Sequence, residues 1–443
     1  GAEVLRRLRR RSLAAAREEV EPVATAPLGR FLPAWQHVGS RQLSGIDGVA
    51  TVVEQLAGVP IPASAWEPLV LASRVRDYSP AMLDELTSTG EVVWSGHGSI
   101  SSKDGWVCLH MADTAPLTLA PAAEADLSEL QVRVLDAVAA GGAYFFRQLS
   151  DAVGSTDDDS LIAALWELVW AGQLSNDTFA PLRALLNATT RAAPSHRSPR
   201  RTPRLRSYRR MERPSLPTRT GPPTAAGRWS RLPDLEPDAT IRAHATADVL
   251  LERYGIVTRG SVMAEGVPGG FATMYKVLTT FEDSGRSRRG YFVDSLGGAQ
   301  FSTSDVVDRL RTYEEREKTG AVVLAACDPA NPYGAALSWP RRGESEDSPK
   351  HRPGRKAGAL VVLHEGALAL YVERGGKTVL TFSENDEVTA IAAQALAATV
   401  ERGGVDKLLV ERVDGNDIHG TPFSRLLTDA GFSATPRGYR MRR

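Results

Sequence analysis

The chain has 443 residues, enough for about three domains, and its 42% hydrophobic and 24% charged residues are typical of a soluble globular protein. Its formal net charge is zero, so no overall field attracts polyanions and a nucleic-acid surface has to be sought region by region. Two distant cysteines, Cys108 and Cys327, exclude a disulfide framework and a cysteine zinc site, and are typical of a reducing, cytoplasmic compartment. The histidines lack metal-ligand spacing and no apolar run reaches ~20 residues, so we expect neither a metal nor a membrane partner.

The first 44 residues predict a helical segment that leads into the first domain. In "GAEVLRRLRRRSLAAAREEV", Leu5, Leu8 and Leu13 would lie on one side of a basic helix. The stretch lacks the apolar core of a secretory signal. We therefore expect residues 1–44 to begin midway through a helix, in a chain cut from a longer protein.

Residues 45–111 carry the signals of a winged helix, a unit of three helices followed by a two-stranded wing. Three helical patterns come first, "GIDGVATVVEQLAG", "PASAWEPLVL" and "SPAMLDELTSTG", and Ser79 and Gly90 are suited to cap the third. The stretches "EVVWSG" and "DGWVCLHM" then flank a glycine and serine turn, which predicts the wing hairpin.

The same order of signals recurs twice, which favours tandem winged helices even though the sequence identity among the units is slight. The second unit is predicted over 126–185 and the third over 228–300. Residues 186–227 between them predict a linker, because 191–220 hold ten Arg and five Pro against a single acid, Glu212, and show no apolar period.

Residues 301–443 predict a C-terminal α+β module with a curled, barrel-like sheet. The predicted fold class of the chain is therefore α+β, with tandem winged helices followed by this module. "ERGGKT" predicts a hairpin turn at Gly375-Gly376, since an NTPase phosphate loop needs a glycine where Tyr371 stands. Asp328, in "DPANPYG", is either an acid held in a rigid turn or an Asx turn, and we favour the turn.

The charges of the three predicted units differ in a way that bears on nucleic-acid binding. The first unit has 8 acidic against 3 basic residues, and the second has 9 against 2 over 126–180. Over 243–293 the third has 5 against 6, with the basic residues concentrated in its wing. Because phosphate contact supplies most non-specific affinity, we predict that the third unit binds nucleic acid and that the first two act as scaffold or bind partners.

The predicted interface combines basic side chains that follow a phosphate backbone with aromatic rings for stacking. Its residues are Arg228, Trp229, Arg259, Lys276, Arg286, Arg288, Arg289, Tyr291, Arg355 and Lys356. Gly269-Gly270 would give the third helix a tight start, so that its N-terminus approaches a phosphate. The sequence pattern does not indicate a Ser/His/Asp or Cys/His cluster, so no catalytic residue is predicted.

Several long motifs give the chain a family resemblance. "GRWSRLP", "LLERYGIVTRGSVMAEGVPGGFATMYKVL", "DPANPYGAALSWP" and "YVERGGKT" together resemble the C-terminal region of bacterial large helicase-related (Lhr) proteins, over almost the whole chain. The resemblance implies an accessory region of a DNA-repair helicase that acts on single-stranded or 3′-tailed DNA and RNA:DNA hybrids. It also implies an upstream motor that binds ATP and Mg²⁺, no cofactor in this part, and self-association into a homo-oligomer.

The architecture is also similar to winged-helix DNA glycosylases of the AlkZ/YcaQ type. Those enzymes use a Gln-x-Gln motif just after the first helix of a winged-helix unit, and Pro60 and Pro62 stand at these two positions here. Proline has no side-chain amide to position a water, which argues against alkylbase excision by that route. Uracil excision remains the alternative function, with no carboxylate assigned to it.

Overall fold

The computed structural model describes residues 21–39, 42–123, 126–188, 221–314, 320–341 and 351–443. The predicted helix with Leu5, Leu8 and Leu13 and the Arg-rich stretch 191–220 lie outside these residues. The described part begins with helix α1 (Thr25–Trp35). No helix in these ranges is long and apolar enough to cross a membrane.

The first unit has the predicted order of three helices and a wing. Its elements are β1 (Leu43–Ser44), α2 (Gly45–Gln55), β2 (Ile61–Pro62), α3 (Ala63–Ala65), a π-helical segment (Trp66–Leu71), α4 (Ala72–Arg74), β3 (Val75–Arg76), α5 (Pro80–Thr89), β4 (Val92–Ser101) and β5 (Asp104–Met111). Gly90 ends α5 in the left-handed conformation, as predicted, and Ser79 stands at its N-cap without a side-chain hydrogen bond. Strands β4 and β5 pair as the wing, and β2 adds a third strand.

The second unit includes a strand that was predicted to belong to the third unit. Its elements, preceded by α6 (Ala115–Thr118), are α7 (Glu129–Ala139), β6 (Tyr144–Phe145), α8 (Phe146–Val153), α9 (Asp158–Trp170), β7 (Leu174–Asn176), α10 (Ala180–Asn187), a 3₁₀ turn (Pro223–Ala225) and β8 (Arg228–Arg231). Because β8 pairs with both β6 and β7, the boundary predicted at 228 is wrong. Most of the residues predicted as a linker, 189–220, lie outside the described part of the chain.

The third unit shares its core with the N-terminal helix. It comprises α11 (Ala239–Tyr254), α12 (Arg259–Ala264), α13 (Gly270–Ser284), β9 (Arg288–Gly290), β10 (Gln300–Ser302) and α14 (Ser304–Arg311). Phe31 and Leu32 of α1 are buried in the same cluster as Leu250 and Phe281. The N-terminal segment is thus part of this unit's core and does not only lead into the first unit.

The C-terminal module contains an open mixed sheet in its described residues. Its elements are β11 (Ala321–Ala325), β12 (Leu360–His364), β13 (Ala367–Val372), β14 (Thr378–Thr381), α15 (Asp386–Glu401), β15 (Lys407–Val410), β16 (Arg412–Val413), β17 (Asn416–Asp417), α16 (Pro422–Asp429), β18 (Ser433–Thr435) and β19 (Gly438–Arg442). Six strands follow the order β11-β12-β13-β14-β16-β17, with β11 and β17 as free edges, so the predicted barrel-like closure is not confirmed. Gly375 and Gly376 form the predicted hairpin turn between β13 and β14, both at positive φ.

Close backbone approaches join the units. A Cβ at Gly96 in β4 would lie 2.1 Å from the carbonyl oxygen of Val169 in α9, so the first wing lies directly on the second unit. A Cβ at Gly260 in α12 would lie 2.2 Å from the Ala335 carbonyl oxygen, so the third unit lies as closely on the C-terminal module. Only glycine fits at such contacts.

A buried ion pair links the first unit to the C-terminal module. The Arg74 guanidinium donates to both Asp328 carboxylate oxygens, at 2.6 and 3.0 Å, and both side chains are fully buried. Arg74 also donates to the Gln36 side-chain oxygen at 2.9 Å. Asp328 Oδ1 accepts from the Ala330 backbone N–H at 2.8 Å, which confirms the Asx turn and gives the carboxylate a structural partner.

Candidate nucleic-acid interface and interdomain cavity

Helix α13, the third helix of the third unit, keeps one face open to solvent. Met274, Leu278 and Phe281 bury its inner face, whereas Lys276 and Thr280 are exposed. Gly269 precedes the helix at φ 75°, which confirms the predicted tight start at this glycine pair. The approach of its N-terminus to a phosphate stays a prediction.

The third helices of the other two units are less available. Five large apolar residues of α9 are buried, and the helix lies under the first wing, where Trp94 and Trp166 ring centroids are 6.4 Å apart. The first turn of α9 carries Asp158 and Asp159. On α5, Asp84 accepts hydrogen bonds from α10 of the second unit. These helices therefore combine acidic side chains with faces that the neighbouring unit covers.

The wing of the third unit is a short hairpin beside α13. Strands β9 and β10 pair antiparallel, and the buried Gln300 side chain accepts from the Phe292 and Val293 backbone N–H groups at 3.0 and 2.9 Å. These bonds fix the loop that presents Tyr291. Tyr291 as a residue is 38% exposed, and its hydroxyl accepts from the Ser295 N–H at 2.9 Å. An aromatic side chain in this position is suited to stack on a base.

Two of the predicted wing arginines are held by acidic side chains of their own unit. Arg286 pairs with Asp248 at 2.5 Å and stacks on the Phe281 ring, 4.0 Å from its centroid. Arg289 donates to the Tyr275 hydroxyl and lies 3.5 Å from the buried carboxylate of Glu282. Arg289 therefore fastens the wing to α13, and the charge of Arg286 is partly neutralised. Arg288 is half-buried in β9.

Arg228 and Trp229 do not belong to the third unit. They lie in β8 of the second unit, where Trp229 is fully buried and its indole N–H donates to the Ala225 carbonyl at 3.2 Å. A ring buried in this way cannot stack on a base, so the prediction for Trp229 is wrong. Arg228 is exposed but pairs with Asp177 at 2.5 Å.

The remaining predicted residues fall into two groups. Arg259 is exposed at the start of α12, in the same unit as Lys276 and Tyr291. Arg355 instead donates to four backbone carbonyls of the 327–333 loop, among them those of Cys327 and Asn331, which assigns it a structural task. Lys356 is exposed and donates to the Arg352 carbonyl at 3.2 Å.

A cavity of about 270 Å³ lies where the first unit, the third unit and the C-terminal module meet. Its lining residues are Val59, Pro60, His97, Trp106, Tyr254, Ala264, Glu265, Cys327, Pro329 and Arg355. Pro60, at one of the two expected glutamine positions, is thus at the wall of a real cavity. The first wing contributes His97 and Trp106, and the end of α12 contributes Glu265.

Glu265 is the carboxylate of this cavity. One of its oxygens accepts from the buried Arg253 guanidinium, which also donates to the Gln55 and Ala57 carbonyls of the first unit at 3.1 and 2.6 Å. Its other oxygen is buried, and the Tyr254 hydroxyl is a further hydrogen-bond partner of the Glu265 carboxylate. Burial first, and then the charge of Glu265, raise the pKa of the Tyr254 hydroxyl well above its ordinary value, so this side chain stays neutral.

Two regions match models of one protein family. Residues 23–112 and 236–322 each match a winged-helix domain of the large helicase-related protein. The chain is also 55% identical over its whole length to the "Lhr helicase/ probable uracil glycosylase" of Mycolicibacterium smegmatis. The "Lhr helicase/uracil glycosylase" of Escherichia coli is 42% identical over 98% of the chain. The chain belongs to the large helicase-related family.

Within this family the chain is the counterpart of the C-terminal region. It spans 30% of the length of each of the two curated relatives it matches. Among solved structures, the Streptomyces sahachiroi DNA glycosylase AlkZ superposes with a TM-score of 0.51 over 89% of this chain and all of AlkZ, at 15% identity. That likeness shows a shared fold.

Sequence reasoning missed the cavity and its carboxylate. Glu265 and Arg253 lie on different helices, and the cavity wall is completed by residues from Pro60 and Arg355, which are far apart in the chain. No local spacing marks such a site. The one sequence signal was the alignment of Pro60 with a glycosylase motif. Pro60 does line the cavity, but because proline lacks a side-chain amide, the alignment argued against catalysis.

Proposed function

We propose that this chain is the accessory C-terminal region of an ATP-dependent 3′-to-5′ DNA helicase of DNA repair, and that its third winged helix binds the nucleic acid. The supporting observation is that α13, α12 and the wing leave Lys276, Arg259 and Tyr291 exposed, whereas the third helices of the first two units are acidic and partly covered. Single-stranded or 3′-tailed DNA and RNA:DNA hybrids are the proposed ligands.

Other parts of this proposal concern the parent protein. ATP and Mg²⁺ would be bound by an upstream helicase motor, and this region would bind no cofactor. The first two units would contact that motor or a sister chain in a homo-oligomer. The protein would act in the cytoplasm, where its thiols stay reduced.

The proposal is tested by fluorescence anisotropy with a labelled 3′-tailed duplex. The Arg259→Ala/Lys276→Ala variant should bind all sequences several-fold more weakly, because two phosphate contacts are lost. The matched control is Lys407→Ala/Arg425→Ala, which removes the same charges from exposed positions of the C-terminal module. Equal weakening in both variants would contradict the assignment to the third unit.

A second candidate function is the excision of a base, favoured by the cavity. We infer that an extruded uracil would enter between Trp106 and Tyr254, and that the Glu265 carboxylate in the cavity wall would orient a water toward C1′. The bond between C1′ and the base nitrogen breaks, water oxygen binds C1′, and the water proton ends on the released base. The Mycolicibacterium smegmatis relative is named a "probable uracil glycosylase" and the Escherichia coli relative a "uracil glycosylase".

This candidate is tested without ATP on a uracil-containing single strand, read as strand breaks after alkali. Glu265→Gln should lower the rate by roughly 10²-fold or more, as expected for loss of a general base, while DNA affinity stays unchanged. Glu401→Gln, at an exposed position on α15, is the control. An absence of alkali-labile sites with folded wild-type protein would eliminate the candidate for uracil.

A further inference from the structure

A second and larger crevice lies between the first and third units, at about 700 Å³. Helix α2 contributes Glu54 and Gln55 to its wall, and α11 contributes Asp248 and Glu252. Trp35 at the end of α1 and Asp305 in the first turn of α14 also line it. The volume is within the range of ligand pockets, ~300–1,000 Å³.

The crevice is acidic, and most of its carboxylates form no ion pair with the residues that the structure describes. Glu54, Glu252 and Asp305 are exposed, and no ion pair to any of the three is present in the described ranges. Asp248 pairs with a cation of its own unit, Arg286. Such a surface repels a nucleic-acid backbone and attracts a cationic ligand.

A buried hydrogen-bond acceptor, the Gln55 side-chain oxygen, lies in the wall of the crevice beside these carboxylates. Gln55 is 5% exposed, and its side-chain oxygen has no hydrogen-bond partner among the residues that the structure describes. Its amide nitrogen is oriented by the Trp35 and Glu252 carbonyls, at 3.4 and 3.3 Å. An orphaned acceptor of this kind costs about 1–3 kcal/mol unless a donor reaches it. The missing partner is therefore a hydrogen-bond donor.

The chain already places two guanidinium groups against aromatic rings at this crevice. Arg286 stacks on Phe281 while it pairs with Asp248. Arg309 lies over the Trp35 ring, 4.9 Å from its centroid. A planar guanidinium combines stacking with several donors, which an ammonium group does not. The described acids do not form a cluster that could hold a metal ion, which favours a larger cation.

From these contacts we propose that the crevice binds arginine side chains of a basic peptide segment of a partner protein. The guanidinium donates to Glu54 and Glu252 and reaches the buried oxygen of Gln55 once the side chains that cover it move aside, and the peptide lies along the acidic wall that Asp305 extends. This site is separate from the nucleic-acid surface on α13 and from the cavity at Glu265.

The test uses the full chain and two fluorescein-labelled probes, (Gly-Arg)₅ and (Gly-Lys)₅, in anisotropy titrations at near-physiological salt. The arginine peptide should bind several-fold more tightly than the lysine peptide. In the Glu54→Gln/Glu252→Gln variant its affinity should fall about fivefold, as expected for two partly exposed charge contacts.

The control is Glu85→Gln/Glu401→Gln, which removes two exposed carboxylates from other faces and should leave the affinity within about twofold. Equal losses in the two variants would overturn the proposal, because the attraction would then be non-specific. Equal affinity for the two peptides, or no binding of either, would overturn it as well. Melting curves of both variants confirm that each is folded.

Discussion

Replacing Asp328 with Asn tests the buried ion pair that joins the first unit to the C-terminal module. The variant keeps the size of the side chain but leaves the Arg74 guanidinium charged and fully buried without its anion. Removing one partner of such a pair costs ~3–5 kcal/mol. The lower end is expected here, because Asn can still accept from Arg74 and Gln36 keeps its 2.9 Å hydrogen bond.

The assay is urea unfolding followed by tryptophan fluorescence. For a unit with a slope of ~1–3 kcal/mol/M, a loss of ~3 kcal/mol lowers the midpoint of its transition by about 1–3 M. The double variant Arg74→Met/Asp328→Leu should recover most of this loss, since apolar replacement of a buried pair is often neutral. An Asp328→Asn midpoint equal to wild type would refute the reasoning.

Three further outcomes follow from burial and close packing. Gly96→Ala should destabilise the chain by ~1–3 kcal/mol in thermal unfolding, because its Cβ would meet the Val169 carbonyl oxygen at 2.1 Å. Burial lowers the pKa of His110 to about 3, so stability should fall as pH drops below ~6.5, where the unfolded state binds the extra proton, and His110→Gln should flatten that dependence. Burial raises the pKa values of Cys108 and Cys327 to about 12, so neither thiol should react with a disulfide reagent at pH 8 until the protein unfolds.

The sequence predicted individual elements better than their assembly. Apolar periodicity and a capping glycine such as Gly90 are local signals, and the helix that Gly90 ends is present. The pairing of β8 with β7 is not local, because the two strands are separated by more than fifty positions. The sequence therefore predicted Trp229 as a surface residue of the third unit, whereas its side chain is buried in the second unit.

The sequence predicted a nucleic-acid interface in the third unit, but it did not predict which contacts its arginines make within the protein. A count of basic residues does not reveal that Asp248 neutralises Arg286 or that Glu282 and Tyr275 hold Arg289. These contacts depend on which faces of α11 and α13 meet the wing. The structure thereby shifts the expected contacts toward Arg259, Lys276 and Tyr291, whose side chains are exposed.

The central claim is that the third winged helix contacts the nucleic acid and the first two do not. It is tested by placing a photocrosslinking amino acid at Lys276 on α13 and, in separate variants, at the exposed positions Glu85 on α5 and Asp159 on α9. With a labelled 3′-tailed duplex, the account predicts crosslinks from position 276 and none above background from positions 85 and 159. Crosslinks from either of the latter two positions that equal those from 276 would contradict it.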